Sequence, residues 1–155
     1  MQRPIAEDAS QASLKVIPML SETRFVPALG RLLLAVIFVM SGVSKIAAPA
    51  ATAGYIASAG LPLPYAGVIL AIVVEVGGGL LLIAGYQTRL VAVVLALFTL
   101  AAGLAFHSNF ADQNQMIHFL KNIAITGGLL QVVAFGAGSF SLDARRGGAS
   151  QTARA

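Results

Sequence analysis

Apolar residues run in four long blocks, Leu29–Ala47, Ala66–Ala84, Leu90–Phe106 and Met116–Phe135, separated by short polar or proline-bearing stretches. Each is close to the ~20 residues a helix needs to cross a hydrocarbon core of ~30 Å. None alternates apolar with polar residues along its length, so the pattern predicts membrane-spanning helices rather than barrel strands. Residues 1–28 carry mixed charges without a sustained period, and Pro18 interrupts the apolar patch Val16–Leu20. They are expected to form a cytoplasmic segment, interfacial or irregular. Residues 29–138 then make the membrane domain, and residues 139–155, rich in Gly, Ser, Ala and Arg, are expected to be a flexible tail. A signal-peptide reading of the first block, cut near Ala47–Ala50, is disfavoured. Its n-region would run to about thirty residues with acids in it, and Lys45 would sit beside the cut.

Inside the blocks, small and polar residues recur at three- and four-residue spacing, which places them on one face of a helix. The first block carries Phe38, Ser41, Gly42 and Lys45; the second Gly67, Ala71, Glu75, Gly78 and Gly79; the third Thr99, Gly103 and His107; the fourth His118, Lys121, Asn122, Ile125 and Gly128. Lipid supplies no hydrophobic drive for helix association, so such columns are where spans meet. They predict an all-α membrane protein, a four-transmembrane-helix bundle with a polar interior in one half. Gly42, Gly78, Gly79, Gly103 and Gly128 are the candidate packing positions.

Ionisable groups within a membrane are costly and by default mark a function or a partner. Counted from Pro64, Glu75 falls about 16 Å down its helix, near the midplane. By the same counting Lys121 lies about 8 Å deep, and Arg31 approaches from the opposite side. Either cation is a candidate partner for Glu75, and the sequence does not choose between them. The plainer reading is that this cluster only holds the bundle together. His107, His118 and Asp112 could ligate a metal, but their spacing fits no ligand motif and no metal is expected.

Composition agrees with the pattern. Of 155 residues, 57% are apolar and 10% charged, and the mean hydropathy is +0.84, which excludes a soluble globular domain. There is no cysteine, so disulfides, thiolate metal sites and thiol redox chemistry are excluded. The net charge is +4, but the basic residues do not cluster with aromatics on one surface, so no nucleic-acid partner is expected. With four spans, Arg3, Lys15, Arg24, Arg31, Arg89, Arg145, Arg146 and Arg154 fall on one side and only Lys45 and Lys121 on the other. The positive-inside rule then puts both termini in the cytoplasm.

Several runs resemble the DoxX family of small bacterial inner-membrane proteins. They are RLLLAVIFVMSGVSK from Arg31 to Lys45, EVGGGLLLIAGYQTR from Glu75 to Arg89, His107, FLKNIAITGGLL from Phe119 to Leu130, and Ser141-Leu142-Asp143. The likeness covers roughly Gly30 to Arg145. It implies a multi-pass four-helix bundle in the inner membrane. The family takes its name from a subunit associated with archaeal quinol oxidase and thiosulfate:quinone oxidoreductase, and relatives are tied to oxidative-stress assemblies. Fold is therefore implied more strongly than function.

The leading expectation is an accessory subunit of a membrane redox or quinone-linked system, oxidoreductase-associated and without a complete active site of its own. Its polar interior, Arg31, Lys45, Glu75, His107, Lys121 and Asn122, would hold a quinone-type headgroup or a small anion. Three buried cations against one acid would make that cavity positive. The sequence fixes no cofactor. Its expected partners are the lipid bilayer and either a protein of a redox complex or further copies of the chain. The alternatives are a small proton-coupled transporter working through Glu75 and a ligand-free membrane scaffold.

Overall fold

A computed structural model describes residues 23–146, and all regular structure in that range is helical. After a single 3-10 turn, Thr23–Phe25, the chain forms α1 (Val26–Ala47), a short α2 (Pro49–Ser58), α3 (Pro64–Ala84), α4 (Thr88–Phe106) and α5 (Gln113–Phe135). All except α2 are long and apolar enough to cross a membrane. Each long helix starts two or three residues before its apolar block. Pro27 and Pro64 occupy first-turn positions, where a missing N–H breaks no bond. Asp112 caps α5, its Oδ1 accepting the N–H groups of Asn114 at 2.8 Å and Gln115 at 3.1 Å.

The long helices pack in the ring order α1, α3, α4, α5 and back to α1, and glycines mark the seams. A Cβ on Gly79 would lie 2.7 Å from Val39, and one on Gly42 2.5 Å from Val76, so both glycines bring α3 against α1. Gly78 faces the other way, onto Leu95 of α4, while Gly103 meets Asn122 of α5 and Gly128 meets Leu34 of α1. Close backbone approach at small residues is how helices associate in lipid. The core is correspondingly thin: Ala35 and Phe38 of α1, Leu82 of α3, Val91, Ala92, Leu95 and Ala96 of α4, and Leu129 of α5. Large apolar side chains instead cover the outside, among them Leu33, Met40, Ile69, Leu97 and Leu130.

Two parts differ from the sequence reading. The proline-bearing stretch between the first two spans, for which the sequence pattern predicts no element, contains α2, whose Ala53 and Ile56 pack on Val68 of α3, with Tyr55 stacked on Phe106 at 5.0 Å. The expected tail does not begin at residue 139. Phe140 stacks on Phe25 at 4.6 Å, the Asp143 N–H donates to Gly85 O at 2.9 Å, and residues 142–146 are helical. Both ends of the described chain therefore meet at one end of the bundle. The rest of the expected tail, and the Val16–Leu20 patch, lie outside the described residues.

Candidate functional site

Polar side chains gather at two levels of the bundle, and the expected cluster is divided between them. At the first level, in the half towards α2, Lys45 of α1 meets Glu75 of α3. Its Nζ donates to Glu75 Oε1 at 3.0 Å and to Ser41 Oγ at 2.7 Å, and Ser41 Oγ donates to the same Oε1 at 3.2 Å. The ammonium also stands 2.8 Å from Oε2, off the line a hydrogen bond requires, so that oxygen has an ionic contact without an aligned donor. Glu75 is buried, whereas the Lys45 side chain keeps 22% of its surface exposed. This is the one ion pair within 4 Å among the described residues.

Local sequence explains the placement. Ser41 and Lys45 are one turn apart and so share a face. Glu75 and Gly79 are likewise four apart, and Gly79 fits against α1. Glu75 sits in a π-helical turn, Val73–Gly77, where three β-branched valines crowd the backbone and the following glycines offer it little resistance. Single π turns of this kind occur frequently at functional sites.

The expected partners of Glu75 are corrected. Arg31 lies fourteen residues before Lys45 on α1, about 21 Å along the axis, and Lys121 is solvent- or lipid-exposed. The depth estimate failed because α3 begins well beyond the end of α1. Gly42 is level with Glu75 and Val76, so Glu75 lies only about 8 Å below the end of α1 although it is about 16 Å into α3. Among the described residues Arg31, Lys45 and Lys121 do not gather around Glu75, which pairs with Lys45 alone. What α1 and α3 build is a neutral pair.

Arg31 organises the second level. It is 1% exposed, with Nη1 donating to Leu82 O at 3.0 Å and Ile83 O at 3.4 Å, and Nη2 to Phe140 O at 2.5 Å. The Leu82 and Ile83 carbonyls lie in the last turn of α3, where Leu82 O accepts only a long 3.3 Å bond from the Gly85 N–H, so the guanidinium closes that terminus. Its Nε has no partner among the described residues. Gly85 ends α3 at φ +66°, and a Cβ there would collide with Arg31 Nη1 and Ser141, so only glycine fits. Asp143 then caps α4, its Oδ1 accepting Gln87 N–H at 2.8 Å and Oδ2 accepting Thr88 N–H at 2.9 Å. Burial works against the charged form, but those N–H groups, the Thr88 hydroxyl and the nearby charge of Arg31 prevail and hold the Asp143 carboxyl below the usual carboxylate range. Asp143 and Ser141 stand in the sequence as part of a family-like run, with no role legible there. The available signal was an acid in a polar segment that follows a span.

The remaining expected residues are scattered. His107 stacks on His118 with ring centroids 5.0 Å apart, and its Nδ1 is 2.8 Å from Gln115 Oε1. Asp112, engaged in capping α5, is not turned to the histidines. Asn122 lies against Gly103 in the α4–α5 seam.

The DoxX family model matches residues 26–108, which contain both Lys45 and Glu75. The chain is 39% identical over 116 residues to the inner membrane protein YqjF of Escherichia coli, covering 73% of this chain and 85% of YqjF. It is 34% identical over 122 residues to the inner membrane protein YphA of the same organism, covering 76% and 87%. No solved structure matches it. The chain belongs to the DoxX family and is a multi-pass protein of the inner membrane.

Proposed function

We propose that this DoxX-family protein is an accessory subunit of a membrane redox or quinone-linked system, and that Ser41, Lys45 and Glu75 form the place where it holds a polar headgroup. The observation that carries this reading is the ammonium of Lys45. An ammonium has three donors; here two of them serve Ser41 Oγ and Glu75 Oε1, and the side chain remains partly exposed. A ligand carbonyl can therefore be taken up beside Ser41 without breaking the pair.

The residues present fit a neutral carbonyl better than an anion. Glu75 already balances the Lys45 charge, and an added oxyanion would sit beside a carboxylate. A quinone has neutral carbonyls and an apolar tail suited to the bilayer. When bound, it would supply two-electron carrier chemistry. In this reading the protein's own residues do the holding: Lys45 donates to the carbonyl, Ser41 keeps the ammonium in place, and Glu75 compensates its charge. The proton-coupled transport reading rested on a lone midplane carboxylate, and Glu75 instead faces a cation. A scaffold without ligand remains the competing reading, in which the pair only fixes how α1 and α3 register.

Orientation belongs to the same proposal. Both termini are cytoplasmic, because the second level and eight of the ten basic residues then face inward. A protein partner, either a redox enzyme or another copy of the chain, would meet the bundle on its apolar outer faces. Solvent extraction of quinone from purified protein tests the ligand. The expected result is quinone enriched over a lipid-matched control, and lost in Lys45→Met while the protein still folds. Enrichment no greater than in the control overturns the reading.

A further inference from the structure

The end of the bundle opposite Glu75 carries an open pocket of ≈ 550 Å³ between the first turn of α4 and the segment following α5. Its lining combines three kinds of group. Arg89 and Arg146 bring two guanidinium groups. Among the described residues Arg89 has only a long 3.5 Å contact to Ala134 O and Arg146 lies 4.8 Å above the ring of Tyr86, so neither guanidinium has all its donors engaged there. Thr88 is 1% exposed; its Oγ1 has no well-aligned hydrogen-bond partner among the described residues, its nearest polar neighbour being the Asp143 carboxylate. Buried hydroxyls are nearly always satisfied. The third component is apolar: Leu90 and Phe135 line the same pocket and are 62% and 80% exposed, on the lipid-facing side of α4 and α5.

Asp143 also lines the pocket, but both its oxygens are bound to the N–H groups of Gln87 and Thr88. The lining therefore stays net positive, two guanidiniums against one carboxylate. A basic floor with a buried hydroxyl that lacks an aligned partner and an apolar outer wall fits an amphiphile with an anionic head. The volume lies within the range of ordinary ligand sites.

We propose that this pocket binds the phosphate headgroup of an anionic phospholipid. The phosphate lies between Arg89 and Arg146 and accepts the Thr88 hydroxyl, while the first acyl carbons rest on Leu90 and Phe135. Arginine forks match phosphate oxygens in geometry as well as charge. The site shares no residue with the Lys45–Glu75 pair, so it stands whether or not that pair holds a ligand.

The test is thermal unfolding of the purified full chain in detergent, titrated separately with phosphatidylglycerol, phosphatidylcholine and inorganic phosphate. Phosphatidylglycerol should raise the midpoint well above the effect of phosphatidylcholine, and inorganic phosphate should do little. The apparent affinity for phosphatidylglycerol should fall roughly tenfold or more in the double variant Arg89→Gln/Arg146→Gln. It should be unchanged in Arg145→Gln, a neighbouring arginine outside the pocket. Thr88→Val should weaken lipid binding, read as the phosphatidylglycerol shift relative to that variant's own lipid-free midpoint; that variant carries the test if the arginine double variant does not fold. Equal effects of the two lipids overturn the proposal, as does a full phosphatidylglycerol shift in the arginine or Thr88 variants. Inorganic phosphate reproducing the whole shift would assign the pocket to a soluble anion and overturn the lipid.

Discussion

Asp143 accepts the Thr88 N–H at 2.9 Å across 55 residues of chain, so the segment after the last span closes the start of α4. Its carboxyl is held below the ordinary range, with burial opposing and the two N–H groups, the Thr88 hydroxyl and Arg31 prevailing. A group with a depressed folded pKa stabilises the fold fully above its unfolded value, ~3.9 for Asp, and that contribution is lost as pH falls through the lower folded value. Melting in detergent from neutral pH downward should therefore show an acid limb in the wild type. Asp143→Asn should be less stable by about 1 kcal/mol at neutral pH and show a shallower limb. Parallel acid limbs in the two proteins would remove Asp143 from the account.

Arg31 should be the least replaceable ionisable residue. Arg31→Met removes the guanidinium from the Leu82, Ile83 and Phe140 carbonyls, leaving Leu82 O only the long Gly85 N–H bond, and should destabilise by about 3 kcal/mol. Arg31→Lys should recover less than half of that, because one ammonium cannot span acceptors on two segments as a fork does. Chemical unfolding in a mild detergent reads both.

The glycines divide into two classes. Gly42→Leu and Gly79→Leu force α1 and α3 apart and should each cost about 1–3 kcal/mol. A Cβ at Gly30 or Gly127 meets nothing within 4 Å, so Gly30→Leu and Gly127→Leu should melt close to wild type. Equal effects in both classes would mean that the seams are misassigned.

Orientation is read by reporter fusions. Fusions at Ala59 and Ala111 should report the external side and one at Ala149 the cytoplasm. An external signal at Ala149 contradicts the assignment.

The four spans were legible because twenty-residue apolar blocks leave little choice in lipid, and the glycine columns pointed to seams that the packing contains. The partner of Glu75 was not legible, although Lys45 stood in the same polar column as Ser41. Depth counted along each helix assumes a common starting plane, and α3 begins well beyond the end of α1. Nor was α2 legible, since Pro49–Ser58 consists largely of small residues, four of the ten alanine, with no face that periodicity could detect. Asp143 was hidden for a different reason. Its effect depends on the α4 N-terminus, 55 residues earlier, and composition alone makes residues 139–146 look like a tail.

The neutral Lys45–Glu75 pair is the point on which the site rests, and a double-mutant cycle on stability addresses it. Glu75→Gln leaves the ammonium without its counter-ion and should destabilise by about 2 kcal/mol, less than for a fully buried pair because Lys45 can reach towards water. Adding Lys45→Met should restore part of that loss, with a coupling of about 1 kcal/mol or more, while Arg31→Met and Lys121→Met should add independently. A Glu75→Gln variant that melts like wild type, or one coupled to Arg31 or Lys121 and not to Lys45, would contradict the account.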